Sequence, residues 1–227
     1  MLLSSSYAFS ENNAPVITAP TSITVAATNS DGTAIFSSAI VNFLTQVSAV
    51  DDAGGTLNVN LSAPSIFPIG LTAVKFTSTD AAGNIGNAQT MVTITDQTAP
   101  VITLIGASSL TLTSADTYSE EGASATDNVD GNLSANIIIA GDIVETSTAA
   151  TYTVTYNVID VAGNLAVEQT RSITVQDTTA PVVSAPTNIT AAATDATGIA
   201  NNVEAIADFL LAATAADNIH GIVSVTN

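Results

Sequence analysis

The stretch from Tyr152 to Pro181 reads as two antiparallel strands joined by an Asp-x-Ala-Gly-Asn turn (Asp160 to Asn164), then a linker into Ala-Pro. A close copy runs from Val74 to Pro100, with its turn at Asp80 to Asn84. A chain that closes a hairpin and begins again at Ala-Pro is an array of small units, not one large domain. A second repeat supports this. Ala14 matches Ala180 and Asp51 matches Asp217, both 166 positions on, with no gap between them.

The repeats divide the chain into a leader (1–13), a first module (14–97), a second (98–178) and a third segment (179–227) that copies the start of the first. That copy runs to Asn227, opposite Leu61, without a counterpart of residues 62–96. Half a sandwich leaves its apolar face and its strand edges open. The favoured expectation is a piece of a longer array. A partly disordered stub, and a half-module completed by a strand of a neighbouring chain, are the alternatives.

Hydrophobic residues make up 46% of the 227 positions, but aromatics only 4%, and Trp is absent. The cores must therefore be built from Val, Ile, Leu and Ala, which suits two sheets packed face to face. Ile23 and Val25 alternate with Thr24, as in a half-buried strand, and Leu57–Leu61 alternates too. Phe36, Ile40, Phe43 and Leu44 recur at helical spacing, predicting a short helix within 36–46. In the second module, Ala135–Ile139 reads as a strand. Tyr152, Val154, Tyr156 and Val158 share one face of the closing hairpin.

Cysteine is absent, which removes disulfides, thiol chemistry and cysteine-bound zinc. Twenty acidic residues face two basic ones, Lys75 and Arg171, for a net charge of −18. Nucleic acid and anionic membrane are poor partners for such a chain. Only 10% of residues are charged, and the acids fall mostly in loops, which favours cation binding over a solubilising coat. No apolar run reaches the length of a membrane span. The start, MLLSSSYAFS, has a small-residue step at Ser6-Tyr7-Ala8 but no basic region before it, so a clipped export signal and a plain leader both stand.

The first module resembles the hyalin repeat, an immunoglobulin-like unit of extracellular and bacterial surface proteins. The likeness rests on Pro15, Pro20-Thr21-Ser22-Ile23-Thr24-Val25, Phe67-Pro68-Ile69-Gly70, Asp80 to Asn84 and Val92 to Asp96. Where that family often carries two cysteines, Ala19 and Ala88 stand here. The second module is similar to bacterial immunoglobulin-like surface repeats. Its matching residues are Glu121-Gly122-Ala123, Ala125-Thr126-Asp127, Asp130 to Leu133, Gly141-Asp142, Thr151 to Tyr156, Asp160, Gly163-Asn164 and Arg171. These resemblances imply an all-β chain of tandem immunoglobulin-like antiparallel β-sandwiches in a rod, the C-terminal one incomplete. They also imply display outside a bacterial cell, secreted or on its surface.

In such a sandwich the closing hairpin's turn lies beside the loop between the second and third strands. That would gather Asp127, Asp130 and Asp160, with Asp96 arriving on the linker. Calcium takes six to eight oxygen ligands and suits four converging carboxylates. The pattern recurs as Asp177, Asp217 and Asn218, and as Asp51, Asp52 and Asp80 with Glu11 nearby. Plainer roles compete: Asp80 and Asp160 as turn caps, Asp96 and Asp177 as solvated linker residues. His220, opposite Gly54, reads as a surface residue, Glu120-Glu121 as a solvated strand start, and Asn60-Leu-Ser and Asn188-Ile-Thr as chance glycosylation patterns.

The functional expectation is a non-enzymatic surface array, structural or adhesive, with Ca2+ stiffening its junctions. Its partners would be other modules or copies of itself, and a surface glycan or protein ligand outside this segment. The alternative is a subunit of an extracellular filament or sheath, closed by a neighbour's strand. An enzyme is not expected. A glycosidase needs paired carboxylates in a cleft, and a nucleophilic triad has only His220 to draw on.

Overall fold

The structure, a computed structural model, describes residues 13–114, 116–193, 195–198 and 204–226. Glu11 and the Ser6–Ala8 step lie outside the described residues. The elements of the first module are β1 (Val16–Thr18), β2 (Ile23–Ala26), β3 (Thr33–Ala34), α1 (Ser38–Leu44), β4 (Ser48–Val50), β5 (Asn60–Ser62), β6 (Ile66–Phe67), β7 (Gly70–Thr79) and β8 (Ile85–Thr95). Then come β9 (Val101–Leu104), β10 (Ser109–Thr113), β11 (Ala123–Asp127), β12 (Gly131–Asn132), a 3-10 turn (Ser134–Asn136), β13 (Ile138–Gly141), β14 (Thr151–Asn157) and β15 (Gln169–Gln176). The third segment holds β16 (Val182–Ser184), α2 (Glu204–Leu211), β17 (Thr214–Asp217) and β18 (Gly221–Val223).

These elements fall into two compact units. One comprises the described residues of Met1–Thr103, Ala123–Ile138 and Asn157–Glu168; the other, those of Leu104–Gly122, Ile139–Tyr156 and Gln169–Asn227.

In the first unit a sheet ordered β2-β8-β7-β5, the pairs β1-β4 and β3-β6, and helix α1 enclose one core. Alternation along the long hairpin turns Val74 and Phe76 of β7 and Val92 and Ile94 of β8 inward. Ile40 and Phe43 of α1 and Phe67 of β6 close over them. Phe36 does not join them: it precedes the helix and is exposed. The hairpin turns where Asp80 caps it, accepting from the Asn84 N–H (2.8 Å) and Nδ2 (2.7 Å), with Gly83 at φ 92°. Glycine takes that left-handed angle without steric cost.

The sandwiches are not wholly antiparallel. β2 runs parallel to β8 (Ile23 beside Val92), and β10 runs parallel to β15 (Leu110 beside Ile173). For β2 the switch falls at the linker Ala19-Pro20-Thr21. β1 pairs antiparallel with β4, then Pro20, with no N–H to donate, interrupts the ladder and the chain crosses to β8. Two other expectations are corrected. Leu57–Leu61 forms a strand only from Asn60, and Ala135–Asn136 belongs to the 3-10 turn, so that strand starts at Ile138.

In the second unit β10-β15-β14-β13 form one sheet and β16-β17-β18 another. Tyr156, Ile173 and Val175 are buried, and so is Arg171, which is fully enclosed. Its guanidinium donates to Glu120 Oε1 at 2.7 Å and to the carbonyls of Ile105 and Gly122, and lies 5.7 Å over the Tyr156 ring. Glu120 also accepts from the hydroxyls of Tyr156 (2.5 Å) and Tyr118 and from the Gly122 N–H (2.7 Å). Glu120 is therefore not a solvated strand start but the anion that neutralises a buried cation.

Candidate metal centre

Within the first unit, Asp96, Asp127, Asp130 and Asp160 each offer a carboxylate oxygen, and these four atoms lie within 4.8 Å of one another. Each residue is placed by a different local device. Asp127 ends β11, and its Oδ1 accepts the N–H of Val129 (2.7 Å) and of Asp130 (3.0 Å), folding the loop back on itself. This turn lets β12 pair at once with β11, Asp127 opposite Gly131. Asp130 Oδ2 accepts the Val161 N–H at 2.8 Å, tying that loop to the hairpin turn. Asp160 is buried and bracketed by Asn164 through its N–H and Nδ2, both at 2.7 Å, as Asp80 is by Asn84. Asp96 Oδ1 accepts the Thr98 N–H at 3.0 Å, fixing the linker.

Two oxygens in this set, Asp96 Oδ2 and Asp127 Oδ2, are buried with no hydrogen-bond partner. A buried carboxylate oxygen without a donor costs free energy. The described residues place no Lys or Arg in ion-pair contact with these carboxylates. Oxygens bound to one calcium at about 2.4 Å cannot be more than about 4.8 Å apart. The cluster meets that limit, and its all-oxygen donor set suits a hard cation. An open cavity of about 510 Å³ beside it is walled by Ile69, Ile94, Val129 and Val161.

In the second unit, Asp177, Asp217 and His220 form the only other such group among the described residues. His220 Nδ1 lies 3.1 Å from Asp177 Oδ2 and 3.2 Å from Asp217 Oδ1, although the ring is largely exposed. Asp217 Oδ1 accepts the N–H of Ile219 (2.9 Å) and of His220 (2.8 Å). Those donors, that of His220 foremost, hold its carboxyl down to about 2. The loop copies the first one: Asp217-Asn218-Ile219-His220-Gly221 stands where Asp127-Asn128-Val129-Asp130-Gly131 stands, and Asp177 where Asp96 stands.

His220 thus occupies the place of Asp130. The sequence reading missed this by aligning it with Gly54. Asn218 Nδ2 donates to Ser114 Oγ at 3.2 Å, as that of Asn128 donates to the Ala27 carbonyl at 3.1 Å. Asp51 and Asp80 are not gathered into a group of three potential ligands among the described residues. The hydrogen bond with Asp52 raises the Asp51 carboxyl above its usual range, while Asn84 lowers that of Asp80.

Residues 102–175 match the family model described as bacterial surface protein, Ig-like domain. This is the segment whose residues resemble bacterial immunoglobulin-like surface repeats. No curated protein matches the chain. Similar solved structures include a lipoprotein of Bacteroides thetaiotaomicron, at 22% identity over 36% of this chain and 39% of that one (TM-score 0.32). The CBM51-2 and INT domains of Clostridium perfringens ZmpB, in complex with GlcNAc, match at 25% identity over 40% of this chain and 21% of that one (TM-score 0.29). Human protocadherin-24 EC1-2 matches at 14% identity over 73% of this chain and 100% of that one (TM-score 0.37). The chain therefore spans well under two thirds of the first two relatives. No helix among the described residues is long and apolar enough to cross a membrane.

Proposed function

We propose that this chain is a non-enzymatic, structural or adhesive segment of a bacterial protein that is secreted or displayed on the cell surface. In this reading the sequence modules 14–97, hyalin-repeat-like, and 98–178 are its repeating units. Asp96, Asp127, Asp130 and Asp160 hold Ca2+ where one module gives way to the next. The ion supplies positive charge and coordination to oxygens the protein leaves without donors. The chain's own residues set the geometry: the Asp127 turn, the Asn164 bracket and the Asp130–Val161 bond place each carboxylate before any ion arrives. Its partners in this proposal are other modules or copies of itself, and a surface glycan or protein bound outside this segment.

The observation that carries it is the pair of buried, unpartnered oxygens within a set of four carboxylates. Thermal unfolding with calcium and then with chelator tests it. A cation that binds only the folded state adds about 2.7 kcal/mol when free ligand is 100-fold above Kd. Wild type should gain several degrees with millimolar calcium, and Asp127→Asn should lose most of that gain. Identical melting curves in calcium and chelator would sink the metal reading.

A further inference from the structure

Asp96 and Asp130 belong to two features at once. They are members of the first carboxylate set, and they also line the cavity of about 510 Å³ walled by Ile69, Ile94, Val129 and Val161. All six residues, and the other two carboxylates, lie in the first compact unit. The cavity is large enough for a small molecule. Its wall joins the carboxylates to an aliphatic surface on which Ile69 and Val161 are 44% and 87% exposed.

The donor count leaves room beside a cation. Four carboxylates giving one oxygen each fill about four of the six to eight positions that calcium takes. Their other oxygens are largely engaged. Backbone N–H groups hold Asp96 Oδ1, Asp127 Oδ1 and Asp130 Oδ2, and Asn164 holds both oxygens of Asp160. At least about two positions are left to a ligand from outside. Because two of the four donors line the cavity, a molecule within it can reach the cation.

Charge decides what kind of molecule fits. Four carboxylates outweigh one divalent cation, and no Lys or Arg among the described residues is in ion-pair contact with them. The loaded site stays negative and repels a further anion. A neutral pair of oxygens carries no such penalty. Adjacent hydroxyls on a sugar ring are such a pair, and a C–H face with a methyl group matches the aliphatic wall.

We propose that this cavity is a binding site for a neutral sugar of the 6-deoxyhexose kind. Its adjacent hydroxyls would complete the coordination of calcium, and its methyl group would lie against Ile69 and Val161. It rests on the calcium reading above, and it puts a glycan site within this segment, apart from any partner bound outside it.

The test is titration of the full chain, with its methyl groups observed by NMR, in calcium and in chelator. The probes are methyl α-L-fucopyranoside and methyl α-L-rhamnopyranoside, with isobutyrate as an apolar carboxylate that lacks hydroxyls. At least one glycoside should move the methyl signals of Ile69, Ile94, Val129 and Val161, with an affinity at least about tenfold higher in calcium than in chelator. Ile69→Ala combined with Val161→Ala should weaken that binding about tenfold. The pair should leave the calcium-dependent gain in melting temperature intact, since neither residue offers a metal ligand. Asp127→Asn should lose both. A calcium-dependent gain in melting temperature without glycoside binding overturns the sugar site and leaves the metal reading standing. Binding that chelator does not weaken, or that the double substitution does not change, also overturns the sugar site. So does a cavity that takes isobutyrate in preference to the glycosides. Melting curves identical in calcium and chelator, with no glycoside bound, would overturn both readings.

Discussion

Arg171 lies fully buried in the second unit. A guanidinium with no exposed surface is tolerable only because Glu120, two carbonyls and the Tyr156 ring receive it. Arg171→Ala leaves Glu120 and both tyrosine hydroxyls around an emptied site, and should cost about 3 kcal/mol, read from denaturant unfolding. Arg171→Met, apolar and nearly as long, should recover part of the loss.

The same group sets a pH window. Burial pushes the Glu120 carboxyl up, but the hydrogen bonds from Tyr118, Tyr156 and Gly122 and the Arg171 charge outweigh it, so the net shift is downward. Stability from that carboxylate is present above its unfolded value of 4.5 and is lost as pH falls through its lower folded value. Burial first, then Glu120, raises the Tyr118 hydroxyl from 10.0 to about 12, and Tyr156 is raised for the same reasons. Their contribution is present below pH 10.0 and lost as pH rises past it. Melting temperature against pH should show a plateau between these limits. Arg171→Ala should make the acid limb shallower, because without that charge the Glu120 carboxyl is held less far below its unfolded value and less stability is lost as it protonates; an unchanged acid limb would show that Glu120 is not tied to this cation.

Among the elements, the long hairpins were the most legible in the sequence. Alternating Val, Phe and Ile around an Asp-x-Ala-Gly-Asn turn leaves little choice of register. Helix α1 was legible through Ile40 and Phe43, whose spacing matches the face they bury. The parallel pairing of β2 with β8 was not, because nothing in local alternation tells a strand which neighbour it joins. The 3-10 turn at Ser134–Asn136 replaced an expected strand for a similar reason. Ser134 Oγ lies 3.0 Å from the Ala125 N and the Leu133 N–H bonds the Ala125 carbonyl, contacts that sequence spacing does not display.

The carboxylates of the first set could be named from sequence, since strand order alone brings those loops together. The role of Glu120 could not, for it depends on a cation 51 positions away. One packing contact of β8 makes a direct prediction. A Cβ on Gly86 would lie 2.1 Å from the Pro15 carbonyl oxygen, far inside contact distance, and the obstacle is backbone. Gly86→Ala should therefore push Pro15 away from β8 and cost about 1–3 kcal/mol. Methyl and amide shifts confined to residues around Val16 and Ile85 would confirm the site of strain, and an unchanged melting temperature would refute it.

At the scale of the whole molecule, a net charge of −18 makes any added salt stabilising to some degree, because screening weakens self-repulsion over distances beyond about 10 Å at 0.1 M. A calcium effect must therefore be separated from ionic strength. Unfolding in calcium chloride and in sodium chloride of equal ionic strength makes that separation. Screening acts on all acids alike, so it should raise wild type, Asp127→Asn and Asp217→Asn by the same amount.

Specific binding acts on one set at a time. Asp127→Asn should remove the calcium-dependent excess from the transition that exposes Phe76 and Ile94. Asp217→Asn should leave that excess intact, because its loop belongs to the other unit. The second set, two carboxylates and an imidazole against four carboxylates, carries two fewer negative donors and should hold calcium more weakly at any pH. Equal gains in the two salts for all three proteins would reduce the carboxylate clusters to turn caps. The −18 charge would then act through solubility and screening alone.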